Sequence, residues 1–317
     1  MSERINELTV SETVQRLKNN DEFLVVTHIR PDGDTIGSGS ALCHSLRMAG
    51  KTAYLYNNPQ FEDSYDWLAK PYIAPEGFAP RYTIAVDLAD PGLFPKGFEG
   101  EVDLCIDHHV SNTFYAKETL LMEKKASCGE VVLQLAKELS GLDPTLADLL
   151  YVAVSTDSGC FVYGNTTGET LRAAAELCDA GASNTYYNKL LFRTSSKARL
   201  TLEGLIFTSL RYYHDGKTVI AVITKEMLQK AGAGERDCQD IASLPGRVEG
   251  AFTSAVIKEV DATHSKVSLR TNGVVNASKV CGVFGGGGHL MASGCSMEAG
   301  CIEAAQILAD EIEKEYK

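Results

Sequence analysis

His28, Asp32 and Asp34 stand close together in "HIRPDGD", and three further stretches repeat the mixture of imidazole and carboxylate. These are "VDLAD" with Asp87, "IDHHV" with Asp107, His108 and His109, and "STDSG" with Asp157. Taken singly, an Asp after an apolar run is an ordinary turn former or helix cap. Four such places, two of them carrying several potential ligands, are hard to assign to capping alone. Carboxylates with one or two imidazoles suit borderline-hard divalent ions such as manganese better than zinc thiolate or calcium sites do. Six good ligands are too many for one catalytic ion with an open position, but they suit two ions sharing a bridging carboxylate. The chemistry expected of such a pair is hydrolysis of a phosphate ester by metal-activated water.

Ligands so far apart in sequence need a frame that converges them. "FLVVTH" (23–28) reads as a buried strand, and "SGSALCHSLRMAG" as the helix after it, closed by Gly50. "KTAYLYN", "YTIAVDLAD" and "VDLCIDHHV" are further strand candidates, and "GEVVLQLAKEL" is an amphipathic helix. "TLADLLYVAVSTDSG" begins as helix and runs into the fourth polar terminus, which is grouped with the other three as a strand end. Strands alternating with helices predict an α/β domain with a mostly parallel sheet and helices on both faces. Sites in such sheets form outside the carboxyl ends of the strands, so the four termini are expected to meet in one cleft.

After about residue 190 the texture changes. "LLFRTSSKARLTLEGLIFTSLRYYH" reads as a helical connector; strands with hairpin-like breaks follow, then "GVFGGGGHLMASGCS" and a closing helix. The expected organisation is therefore 1–190 as a metal-binding catalytic domain, 191–213 as connector, and 214–317 as a smaller α+β domain that binds substrate. Gly285, Gly286, Gly287 and Gly288 would let backbone N–H groups approach an anion, with His289 beside them. Arg270, in "KVSLRTNG", is the candidate fork for a terminal phosphate, because guanidinium grips phosphate oxygens bidentately.

Bulk composition narrows the function classes. The chain has 317 residues, 44% hydrophobic, which is ordinary for a globular protein of about two domains. The net charge of −12, from 30 basic and 42 acidic residues, argues against a binder of long nucleic acids. A small anionic substrate remains compatible, since bound divalent cations reverse the local charge. No long apolar run predicts a membrane span, and the first residues lack a signal-peptide core, so a cytoplasmic location without membrane association is expected. Nine cysteines without a CxxC pair read as reduced thiols. Cys281, His289, Cys295 and Cys301 match no familiar zinc spacing.

"HIRPDGD", "VDLAD", "IDHHVSN" and "STDSG" resemble, in order, the four motifs of the DHH phosphoesterase superfamily. "FGGGGHLMASG" is similar to the signature of the DHH-associated C-terminal domain. The chain looks most like the stand-alone members, the nanoRNase (oligoribonuclease)/pAp phosphatases. That resemblance implies two manganese ions, with Mg²⁺ or Co²⁺ as substitutes. It implies His28 and Asp32 on one ion, Asp34, His108 and Asp157 on the other, and Asp87 between them. His109 would face the scissile phosphate, and Asp107 would orient the histidine pair. Expected partners are short single-stranded oligonucleotides or a nucleotide bisphosphate, and a homodimer. Two positions depart from the family pattern: Cys160 stands where Arg is common after the fourth motif, and Arg30 where Asn is common in the first.

Four other readings compete. A phosphodiesterase of cyclic or linear dinucleotides in second-messenger turnover uses the same groups. An inorganic pyrophosphatase shares the first domain, but its basic Ser-Arg-Lys signature is not found here. A haloacid-dehalogenase-type phosphatase is suggested by "DGDT", yet Ile29, Arg30 and Pro31 separate that motif from the strand end. A non-catalytic nucleotide sensor would be favoured by loss of a ligand, and none is lost.

Overall fold

The computed structural model describes residues 6–61, 65–238 and 241–316. The chain divides into two compact units, Met1–Thr194 and Ser195–Lys317.

In the first unit a five-stranded, wholly parallel sheet has the order β2-β1-β3-β4-β5. The strands are β1 Phe23–Val26, β2 Ala53–Leu55, β3 Tyr82–Val86, β4 Leu104–Asp107 and β5 Glu118–Leu121. β1 and β4 are buried along their whole length, which explains their continuous apolar sequences. Val25, Ile84, Val86, Leu104 and Ile106 face a core built with the helices Gly33–Met48, Cys128–Leu139 and Pro144–Asp157. Ala85 and Cys105 point the other way, under Phe94, Phe98 and Tyr115.

The helix Gly33–Met48 is buried at every position except His44, Arg47 and Met48, and it is rich in Gly, Ser and Ala. Small residues are what let it approach its neighbour. A Cβ on Gly37 would stand 2.8 Å from the Leu149 carbonyl oxygen and 3.0 Å from the Ala153 Cβ. A glycine costs about 1 kcal/mol in a helix interior, and close packing against Pro144–Asp157 offsets it. Its glycines thus serve helix packing.

One expectation needs correcting. Asp157 does not end a strand. It ends the helix Pro144–Asp157, capped by Asp143 with Pro144 in the first turn. An apolar run buried on all sides has no distinguishing period, and its length decides for helix. β5, absent from the sequence reading, closes the sheet.

The second unit has a six-stranded mixed sheet, order β10-β11-β9-β8-β7-β6. The strands are β6 Arg211–Tyr213, β7 Thr218–Ile223, β8 Thr253–Glu259, β9 Ser265–Thr271, β10 Gly287–Gly288 and β11 Ala292–Met297. β7 and β8 are parallel, and all other pairs are antiparallel. The two-residue period of β7 serves two cores. Ile220 and Val222 pack with the helix Cys301–Glu315, while Ala221 and Ile223 pack with Leu202 and Ile206 of the helix Lys197–Thr208. That helix, read from sequence as part of a connector, is a packed element of the second unit.

Candidate metal centre

The six predicted ligands meet in the first unit. His28 Nε2 lies 3.8 Å from Asp32 Oδ2 and 3.8 Å from Asp87 Oδ2. His108 Nε2 lies 3.4 Å from Asp87 Oδ1, 3.8 Å from Asp34 Oδ2 and 3.8 Å from Asp157 Oδ2. Ligands about 2.1 Å from one ion stand roughly 3–4 Å apart, so each set is spaced to hold a cation. His28, Asp32 and Asp87 form one group, and Asp34, His108 and Asp157 a second. Asp87 spans them, turning one oxygen toward each histidine. A third overlapping group is Asp87 with His108 and His109.

Local structure over-determines these side chains. Asp32 does two jobs: its Oδ1 caps the helix Gly33–Met48, accepting from the amides of Asp34 and Thr35, while Oδ2 faces His28. Asp34 is buried and accepts from the amides of Cys128 and Gly129 at 2.7 and 3.0 Å, at the N-terminus of a helix that favours negative charge. Ser38, one turn on, donates to the same carboxylate. Asp87 directly follows β3 with φ at +57°, a left-handed conformation uncommon for Asp, fixed by its amide donating to the Ile106 carbonyl of β4.

The three imidazoles are oriented from behind. Nδ1 of His28 donates to the Ile29 carbonyl and Nδ1 of His108 to the Lys125 carbonyl, which turns both Nε2 atoms to the carboxylates. Nδ1 of His109 donates to Asp107 at 2.8 Å, and its side chain is partly exposed. Asp107 is fully buried and also accepts from the amides of His108 and His109 and from Asn112 at 2.6 Å. Burial pushes the Asp107 carboxyl up, but His109, Asn112 and the His108 amide together bring it below the ordinary value. The same bond to Asp107 raises His109. Asn112 sits in the quoted "IDHHVSN", yet its spacing alone did not reveal this role.

The electrostatics fit a cation. Asp87 Oδ1 is buried without a hydrogen-bond partner, a costly state for a carboxylate oxygen unless a positive ion faces it. Burial, then the neighbouring Asp87, raises the Asp34 carboxyl well above its usual range. Asp157 is pushed up to about 6 by burial, with Asp87 and Asp32 adding to the effect against His108. Carboxylates crowded in this way resist ionising together unless divalent charge is supplied.

The second-unit candidates lie on one sheet but are not held comparably. Arg270 is exposed on β9, paired in register with Ala292 of β11, and donates to the neighbouring Leu269 carbonyl. The glycine run forms a short hairpin rather than an open cradle. Gly287 and Gly288 pair with β11, and the amides of Gly285, Gly286 and His289 are bonded to main-chain carbonyls. A Cβ on Gly286 would stand 2.3 Å from the Gly294 carbonyl oxygen, so close strand packing demands glycine there. His289 is exposed at the hairpin's turn. Cys160 and Arg30, the two departures, both have positive φ.

Residues 22–154 match the model of the DHH family N-terminal domain, and residues 215–315 match the DHHA1 domain. The chain is 32% identical to the bifunctional oligoribonuclease and PAP phosphatase NrnA of Thermus thermophilus, over 86% of this chain and 83% of that one. It is 26% identical to the Bacillus subtilis protein of the same name, over 95% and 96%. It is 22% identical to the cyclic-di-AMP phosphodiesterase PdeA of Listeria monocytogenes, over 90% of this chain but 46% of that one. The crystal structure of an exopolyphosphatase-related protein from Bacteroides fragilis shares the fold, with a TM-score of 0.84 over 97% and 96% of the chains at 23% identity. Among the described residues no helix is long and apolar enough to cross a membrane. With its His/Asp cluster gathered from strand ends and helix termini of the parallel-sheet unit and both domain models matched, the chain belongs to the DHH family of metal-dependent phosphoesterases.

Proposed function

We propose that this chain hydrolyses short 5′-phosphorylated oligonucleotides of about two to five nucleotides, linear dinucleotides among them, to mononucleotides, and removes the 3′-phosphate of pAp. The observation that carries the reading is Asp87, a buried carboxylate shared by two His/Asp groups, in a chain similar over most of its length to proteins named oligoribonuclease and PAP phosphatase. His28 and Asp32 would hold one ion, Asp34, His108 and Asp157 the other, with Asp87 bridging; the carboxylate-rich, thiolate-free set favours Mn²⁺, with Mg²⁺ or Co²⁺ as substitutes. When bound, the ions polarise the phosphoryl group and lower the pKa of water.

The protein's own groups do the rest. Asp107 would hold the His109 imidazole turned and favour its protonated form, so that Nε2 could present a proton to the leaving oxygen. Asn112 holds Asp107 in place for that task. Arg270 and the Gly285–Gly288 hairpin with His289 would contact the substrate's terminal phosphate, the 214–317 region holding what 1–190 cuts.

The test offers purified protein pApA, pAp, cyclic di-AMP and pyrophosphate with Mn²⁺, beside an Asp87→Ala control. Hydrolysis of pApA and pAp, lost in the control, is expected. Equal rates for wild type and control would sink the shared-carboxylate mechanism, and preference for pyrophosphate would overturn the substrate assignment. The likeness to PdeA makes cyclic di-AMP the second substrate class to be ranked.

A further inference from the structure

We infer that Tyr163 is a stacking platform for a nucleobase of the substrate, built beside the metal centre by the turn that follows Asp157. The inference rests on the oligonucleotide reading above. Gly159, Cys160 and Phe161 are three successive residues in the left-handed region, with φ of +57°, +56° and +67°. For Cys160 and Phe161 that conformation is unfavourable and persists only where the surroundings enforce it.

Here they do. The Cys160 amide donates to the Ser155 carbonyl, and the amides of Val162 and Tyr163 both donate to the Ser158 carbonyl. The Asn165 side chain ties the turn back to the carbonyls of Asp157 and Ala126. Phe161 is thereby turned inward against the domain core, while Val162 and Tyr163 are 80% and 61% exposed.

The Tyr163 ring is not free on that surface. A Cβ on Gly159 would stand 2.5–2.6 Å from the ring atoms, so the ring lies flat on the glycine while the residue stays largely exposed. Gly159 is two residues from Asp157, at most about 7.6 Å along the chain. Val110, also exposed, directly follows His109. A single exposed apolar residue is ordinary. A ring pinned on one face by a strained turn, next to a phosphoester-cleaving centre, is preorganised for a flat partner.

The turn also says which partner. "SGCFVYGNTT", 158–167, contains no charged residue, so it offers no cationic grip for a phosphate. An open aromatic face binds a base by stacking and tolerates any base, because each has a π-face. The platform would therefore add affinity for nucleotides over simple phosphate esters without imposing sequence preference.

The experiment compares Tyr163→Ala, Tyr163→Phe and Tyr163→Trp in the full chain. Tyr163→Ala should raise KM for pApA about tenfold with kcat within about twofold, and Tyr163→Phe should restore the wild-type KM. Tyr163→Trp should give fluorescence quenched by pApA and by AMP but not by ribose 5-phosphate, above the background of Trp67, the only tryptophan of the sequence. An unchanged KM in Tyr163→Ala, or equal losses in the Ala and Phe variants, would overturn the platform. Should the wild type fail to cleave pApA, the oligonucleotide reading fails, and the AMP titration still decides: no quenching rules the platform out.

Discussion

The two units use polar residues in opposite ways. In the first, Asp34, Asp87 and Asp107 are buried, and each is fixed by main-chain geometry or by several donors before any ligand arrives. In the second, Arg270 and His289 are exposed, and among the described residues Arg270 donates to a neighbouring carbonyl. The difference fits the roles proposed for each. A small divalent ion demands ligand atoms placed to a few tenths of an ångström and repays their desolvation with a strong local field. A flexible phosphate-bearing chain is met by long side chains that settle on contact. Loss of a first-unit group should therefore abolish chemistry, whereas loss of a second-unit group should weaken substrate use.

The largest effect is expected at Asp87. Asp87→Asn keeps the side-chain shape and tolerates the left-handed backbone, yet removes the charge shared by the two ligand groups. Turnover should fall by roughly a thousandfold or more, with fewer than two ions per chain found by elemental analysis. The same variant has a second readout. Without metal, one of the mutually repelling carboxylates is gone, so its chelator-treated unfolding midpoint should equal or exceed that of the chelated wild type. A lower midpoint in that comparison would make Asp87 a structural residue instead. In the wild type, chelation should lower the first unit's calorimetric transition, by about 3–4 kcal/mol per ion removed where free ion was 100 to 1,000 times Kd, and leave the second's in place.

Asn112→Ala should rank next. It removes the 2.6 Å donor to Asp107 and leaves a buried carboxylate oxygen short of a partner, while every metal ligand stays. A kcat loss of about 10–100-fold with two ions retained is expected. Retention of full activity would separate Asp107 from the catalytic task. Arg270→Ala should be milder, raising KM for pApA about tenfold with metal content and kcat unchanged. A collapse of kcat there would break the division of labour between the units.

The His/Asp cluster was legible because four continuous apolar runs each end in such residues, two of them in several at once. What supports the ligands was less so. Asn112 is one more polar residue after a strand, and only the folded backbone brings it under Asp107. The amides of Cys128 and Gly129 reach Asp34 across more than 90 residues, a pairing no local pattern encodes. Asp157 was placed on the wrong kind of element because "LADLLYVAV" is buried all round and shows no period. The glycine run was read for anion contact, while close strand packing already accounts for Gly286.

The smallest expected effect lies at the far end of the helices that bear Asp34 and Asp157. Asp143 caps Pro144–Asp157 through the Leu146 amide and accepts from His44 Nε2 at 3.0 Å, while the Tyr72 hydroxyl donates to His44 Nδ1. His44 is in the last turns of Gly33–Met48, so this chain of bonds pins the two helices end to end, opposite their ligand-bearing termini. Burial pushes the Asp143 carboxyl up, but the Leu146 amide and His44 outweigh it and hold it below its ordinary value. A carboxyl depressed in the folded state stabilises above its unfolded pKa of about 3.9, and that contribution disappears as pH falls through the folded value. Asp143→Ala should cost about 1 kcal/mol at neutral pH, a drop of about 2–4 °C in the first unit's midpoint, with turnover within about twofold. As pH falls below about 4 the gap between wild type and variant should begin to narrow, and it should close only below the folded-state value, where the wild type loses the charge the variant never had. A gap that stays constant from pH 7 to pH 3 would mean that packing around His44 and Tyr72, and not the ionised cap, joins the two helices.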